Sequence, residues 1–310
     1  MNLLSTSSPH VRSDESTRII MLDVIIALMP ALIWAVYLFG INALLLTLVS
    51  ILSAVIAEAL SELAMRKPLT IGDLSAVVTG MLVAFNCSPS VPIWMPAIGS
   101  AFAIVIAKQI MGGIGQNFVN PALAGRAFML ASWPVAMTTW VTAGTASAVS
   151  GATPLAILKG TEAVGQLPSV WDMFLGNIGG CIGEVSALMI LIGAAYLLYR
   201  GVITWRIPVT YIATVVILTL IFGKNPLDHL FAGGLMLGAF FMATDYTTSP
   251  VTIKGQFIYA FGCGLLTVII RLFGGYPEGV SYSILLMNVS APLIEKFTVP
   301  KVYGEVAKSV

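Results

Sequence analysis

Charge is what this sequence has least of. Its 310 residues hold 15 Lys and Arg, 14 Asp and Glu and 2 His, so only 9% are charged. A soluble domain carries about a quarter, and a chain this poor in ionic side chains cannot build a water-compatible surface. No basic tract occurs and the formal net charge is +1, which argues against a nucleic-acid partner. Cysteine is sparse as well. Cys87, Cys181 and Cys263 lie far apart, at or inside apolar segments, and form no C-x-x-C pair. Neither a zinc site nor a four-cysteine iron–sulfur cluster is expected, and no metal; buried, unreactive thiols are. The first twenty residues carry Arg12, Asp14, Glu15 and Arg18 and lack the pattern of a removable signal peptide.

What remains is apolar: 58% hydrophobic residues and a mean hydropathy of +0.95. The chain reads as an all-α polytopic membrane protein of about ten segments, since about 17 to 25 apolar residues cross the hydrocarbon core. The segments are 19–39, 41–63, 74–85, 93–110, 118–132, 181–199, 205–222, 230–243, 257–273 and 280–294. Residues 1–18 and 296–310 form the expected cytoplasmic ends. Residues 133–180 form a weakly hydrophobic loop between two five-helix sets, 19–132 and 181–295. The third and eighth segments, about a dozen residues each at 1.5 Å per residue, cannot cross a core of ~30 Å. Each ends near a Ser-Pro, at Ser88-Pro89 and Ser249-Pro250. They are predicted to be half-helices that turn back. Exposed backbone at that depth needs protein or a polar cavity around it, so a site is expected there.

The two sets repeat. Asp23-Val24 with Ala27-Leu28-Met29 matches Glu184-Val185 with Ala187-Leu188-Met189, and Lys108 ahead of Gly112-Gly113 matches Arg271 ahead of Gly274-Gly275. The Ser-Pro pairs match at the same offset of 161 residues. Five spans per copy invert one copy relative to the other. With the N-terminus inside, twelve of the cationic side chains fall on the inner side and only Lys159, Lys224 and Arg271 on the outer. That bias fits the positive-inside rule and puts the middle loop outside.

Ionisable residues within spans are costly and are candidates for an ion path. They are Asp23, Glu58 and Glu184, with Glu62 on the same helix face as Glu58. The bland alternative for each is an interfacial side chain reaching water. Asp245 at the end of a half-helix and Asn120 beside Pro121 are candidate site residues, because broken-helix ends leave polar backbone in need of partners. Arg126 either holds an anionic group or anchors its helix at the inner surface. His10 and His229 are isolated and expected at the surface. Residues 147–155 (Ser-Ala-Val-Ser-Gly-Ala-Thr-Pro-Leu) read as an open loop.

At Ser150-Gly151-Ala152-Thr153 the chain resembles the flavin-attachment motif of a family of membrane proteins. The family includes the D-type component of the Rnf ion-translocating ferredoxin:NAD oxidoreductase and the B-type component of the sodium-translocating NADH:quinone reductase. Similarity extends to Ser8-Pro9-His10, to residues 117–126 (Asn-Phe-Val-Asn-Pro-Ala-Leu-Ala-Gly-Arg) and to Met242-Ala243-Thr244-Asp245. The compact length is more similar to the Rnf component. The resemblance implies FMN joined to Thr153 by a phosphoester and a second, non-covalent flavin, riboflavin, within the bundle. It implies a role in the cytoplasmic membrane of a bacterium or archaeon, passing electrons between partners while Na⁺ or H⁺ is moved. Those partners would be further membrane and peripheral subunits, including a second covalent-FMN subunit and iron–sulfur subunits. From the residues alone, inverted copies with half-helices also fit a urea-transporter-like channel for a small solute, or a membrane scaffold.

Overall fold

The computed structural model describes residues 15–140, 153–160, 167–275 and 278–300. Much of the expected cytoplasmic ends, residues 1–14 and 301–310, lies outside them. Among the described residues the chain is helical, with no strand. The first helix, α1 (Thr17–Phe39), is capped by the Ser16 side chain, which accepts from Ile19 N at 3.4 Å. It ends at Gly40, whose φ of 73° lets the chain reverse at once into α2 (Ile41–Ala64). Then come α3 (Ser75–Phe85), α4 (Trp94–Phe102, continuing as a π-helical stretch over Ala103–Gln109) and α5 (Pro121–Ser132). The middle region holds three short helices, α6 (Pro134–Thr138), α7 (Pro154–Lys159) and α8 (Val170–Leu175). The second set is α9 (Ala187–Tyr199), α10 (Arg206–Ile221), α11 (Pro226–Phe231), α12 (Leu235–Leu237, continuing as π-helix over Gly238–Met242), α13 (Ile253–Phe273) and α14 (Val280–Thr298).

Among the described residues, α1, α2 and α13 are long and apolar enough to cross a membrane. Their outward faces carry large apolar side chains, among them Ile33, Ile41, Leu52, Ile56, Leu60 and Phe273. Water would penalise such a surface and lipid does not. Inside, small residues set the spacing, as they do where no hydrophobic force drives helices together. A methyl on Gly193 of α9 would land on the Ala27 carbonyl of α1, and one on Gly80 of α3 would meet the α2 backbone at Ile51. Backbone therefore touches backbone at both crossings. The packing pairs are α1 with α9, α2 with α3 and α4, α10 with α13, and α5 with α14.

Several expected boundaries move, each for a local reason. The span read at 118–132 starts at Pro121, because Asn120 accepts from Ala122 N (3.0 Å) and Leu123 N (3.3 Å) and proline takes the first helical position. The span read at 181–199 begins only at Ala187. Ahead of it, Ile182 N donates to Cys87 O (3.0 Å) and Gly183 N to Phe85 O (2.9 Å). Those bonds satisfy carbonyls that α3 leaves open at its C-terminus. The stretch read at 230–243 is interrupted at Gly233 (φ 71°), so its regular part is only Leu235–Met242.

Candidate functional site

Helix α3 and the α12 stretch frame an open cleft whose cavity volume is about 120 Å³. Ser75 and Thr79 come from α3, Asn117 and Asn120 from the approach to α5, and Thr244 and Asp245 from the turn after α12. Apolar walls come from α1 (Met21, Val24) and from Phe240 and Phe241. Asn120 Nδ2 donates to Met242 O at 3.3 Å, which ties the start of α5 to the end of the π-helical stretch that continues α12. Asp245 accepts from Thr248 Oγ1 at 3.1 Å and Thr247 N at 3.4 Å. The cleft is thus largely apolar with a few convergent polar groups, the usual character of a cofactor site. Asn120 and Asp245 both line this cleft.

Arg126 is not part of this cleft. Six residues along α5, about 9 Å of helix, it is buried and donates to Asn86 Oδ1 at 2.7 Å. It also forms an ion pair with Glu278. Burial removes the reading of Arg126 as a surface anchor.

Glu278 lines a second, much smaller cavity of about 10 Å³, together with Thr153, Gly179, Gly180, Glu184 and Gly233. Thr153 departs from expectation: it is 7% exposed and N-caps α7, accepting from Ala156 N at 3.2 Å. Proline at the first helical position favours a helix, and the cap draws the hydroxyl inward. Lys159 donates to Gly274 O, fastening α7 to the end of α13. Ser150, Gly151 and Ala152 lie outside the described residues.

The ion-path candidates separate. Asp23 accepts from Tyr196 Oη at 2.7 Å and pairs with Arg200 Nε at 3.2 Å, joining α1 to α9. Glu58 is fully buried and pairs with Lys108, whose Nζ also donates to Ser75 Oγ at 2.6 Å. Gln109 Nε2 donates to Glu58 at 3.0 Å, and Glu62 receives Thr70 N at 2.9 Å. The interfacial reading of Glu58 and Glu62 therefore fails; Glu58 anchors α2 to the π-helical stretch of α4, and Glu62 holds the turn after α2. Glu184 is 6% exposed and its Oε2 has no partner among the described residues.

Three residues were not singled out from the sequence as site candidates: Glu278, Cys181 and Arg271. Arg271, the repeat mate of Lys108, is buried and donates to His229 O (2.5 Å) and Ala232 O (3.0 Å). The repeat offset was the available signal: the position matching Glu58 is Thr219, so Arg271 had to find another partner. His229 corrects a further expectation, being buried and not at the surface. All three cysteines are free and buried.

The model of the NQR2, RnfD, RnfE family matches residues 4–304. A relative from Acetobacterium woodii is 56% identical over 98% of this chain and 96% of its own length. Its name makes it the D component of a Na(+)-translocating ferredoxin:NAD(+) oxidoreductase complex. A Clostridium ljungdahlii relative is 51% identical over 96% of this chain and 95% of its own, and is named as the D component of a proton-translocating ferredoxin:NAD(+) oxidoreductase complex. One from Halorhodospira halophila, named as the D component of an ion-translocating oxidoreductase complex, is 37% identical over 96% and 94%.

Proposed function

The chain belongs to the NQR2, RnfD, RnfE family, and from that premise we propose that it carries FMN on Thr153 and passes electrons within its complex. It is a membrane component of an ion-translocating ferredoxin:NAD oxidoreductase and works with the other subunits of an Rnf complex. The observation that carries the flavin reading is the pairing of two cavities along α5. Asn120 at its N-cap borders the open cleft, and Arg126, about 9 Å further on, is ion-paired to an acid of the Thr153 cavity.

The residues around Thr153 fit an esterified hydroxyl. Gly179, Gly180 and Gly233 leave space where side chains would fill the cavity. Behind Gly233 stands Arg271, a buried cation whose Nε has no partner among the described residues. The Thr153 hydroxyl supplies the ester oxygen, and a tether there prevents loss of the cofactor. Because Thr153 is buried and caps a helix, attachment precedes the docking of α7. The larger cleft takes the non-covalent riboflavin, with Asn120 and Asp245 as its polar contacts and the α1 and α12 side chains as apolar walls. A flavin supplies the electron transfer; the chain supplies position, orientation and exclusion of water.

The proposed topology has ten spans in two inverted copies, a urea-transporter-like arrangement, with α3 and the α12 stretch as half-helices. The protein lies in the cytoplasmic membrane with the α7 region outside. The cross-copy pairings α1–α9 and α5–α14 support it. The test of the flavin assignment is direct. Purified from a host with its flavin transferase and denatured on a gel, the wild-type band should fluoresce under ultraviolet light and Thr153→Val should not. A dark wild-type band refutes covalent attachment and returns the solute-channel reading.

A further inference from the structure

We propose that Arg126 is a fixed cation that bars other cations from crossing the bundle between its two cavities. Where helices end inside a bundle, their C-terminal carbonyls carry the negative ends of the helix dipoles, and such ends attract cations. Both α3 and the α12 stretch end in this way beside α5. Asn86, the C-cap of α3, places its Nδ2 3.9 Å from Sδ of Met242, which closes the π-helical stretch after α12. A cation entering from the cleft would be drawn to these two ends. Arg126 stands there instead.

The contacts form one line from cavity to cavity. Asn120 lines the cleft and donates to Met242 O, Met242 touches Asn86, and Asn86 Oδ1 accepts from Arg126 Nη1 at 2.7 Å. Arg126 then pairs with Glu278, which lines the small cavity together with Glu184. Arg126 itself lines neither cavity. It is held from a third side as well: Cys181 Sγ lies 4.0 Å from its Nη2 and donates to Asn86 O at 3.3 Å. A guanidinium does not give up its proton, so the charge is permanent. The charges of Arg126 and Arg271 both act on Glu184, so the two acids of the small cavity are balanced and exert no net pull on a cation in the cleft. An arginine in the path of a pore excludes cations by its charge. In a complex that moves ions against a gradient, a leak through this chain would undo the work.

The opposite facing of the two cavities rests on the topology proposed above; the barrier itself needs no flavin. The purified complex is reconstituted into liposomes without an electron donor, and a potential is imposed with potassium and valinomycin. Uptake of radiolabelled sodium is counted, and proton entry is followed with a trapped pH dye. Wild type should be tight. Arg126→Gln with Glu278→Gln, which strands neither charge, should leak at least tenfold faster. If that pair fails to assemble, Arg126→Met with Glu278→Leu takes its place. A tight vesicle with an assembled double variant overturns the proposal. Glu278→Gln and Arg126→Lys each keep a cation at position 126 and should stay tight. So should Lys108→Met with Glu58→Leu, a buried pair off this line. An equal leak in any of these three also overturns the proposal, because loosened packing and not a missing charge would then open the path. The topology is checked separately: an impermeant maleimide should label Thr247→Cys, in the cleft, from the cytoplasmic side only. Labelling from outside refutes the topology and leaves the leak result standing.

Discussion

Asp23 and Glu184 are buried acids 161 residues apart in the sequence, yet only Asp23 accepts close bonds from both a hydroxyl and a guanidinium. Asp23 receives Tyr196 Oη at 2.7 Å and Arg200 Nε at 3.2 Å, while Glu184 Oε2 receives nothing among the described residues. Neutralising the two should therefore differ in cost. In sodium-free buffer Asp23→Asn should lower the melting temperature, losing about 1–3 kcal/mol of charge-assisted bonding. Glu184→Gln should lower the melting temperature less, since its only close hydrogen bond is a long one, 3.4 Å, from Cys181 N. Thermal unfolding in detergent measures both, and a large loss in Glu184→Gln would show that the acid has a structural partner after all.

Lys108 is buried beside fully buried Glu58. Lys108→Met strands the carboxylate and should cost about 3–5 kcal/mol, whereas Lys108→Met with Glu58→Leu should recover most of that loss. Comparing melting curves of the single and double variants decides it. If the double variant is no more stable than the single, the pair is not what holds α2 to α4.

Asp245→Asn keeps the shape of the cleft and removes its carboxylate. Non-covalent flavin extracted per complex should fall at least severalfold, while ultraviolet fluorescence of the denatured chain stays at the wild-type level. Equal loss of both signals would place Asp245 in the attachment reaction or in folding, not in the cleft's contacts.

His229, in the short helix between the α10 and α12 segments, is buried with Nδ1 unpartnered among the described residues. Burial first, then the charges of Arg271 and Lys224, hold its pKa down at about 4. The unfolded chain takes up the proton first, at about 6.5. The neutral ring's contribution is therefore complete above pH 6.5 and is lost as pH falls from there to about 4, by on the order of 3 kcal/mol. His229→Gln should flatten the dependence of melting temperature on pH across that window. An unchanged slope would mean that other groups carry it.

Much was legible from residue order. Scarce charge and continuous apolar runs meant lipid, and a constant offset pointed to duplication. Segments 74–85 and 230–243 were too short to cross, and both α3 and the α12 stretch contribute to the walls of one cleft. Asn120 and Asp245, chosen for their place at interrupted helices, both line that cleft.

Partnership was not legible, because it depends on which side chains meet across the bundle. Nothing in residue order says that Lys108 reaches Glu58, that Arg126 leaves the Asn120 cleft for Glu278, or that Thr153 turns inward as a helix cap. Matching sequence around Asp23 and Glu184 suggested equal surroundings, and tertiary packing made them unequal. Contacts between α1 and α9 bring Tyr196 and Arg200 into hydrogen-bond reach of Asp23, whereas Glu184 Oε2 receives no hydrogen bond among the described residues. Residue order by itself thus determined that the chain is helical, apolar and suited to lipid. Only the folded bundle decided which buried charges are neutralised, because that depends on distances of a few ångströms between residues far apart in the chain.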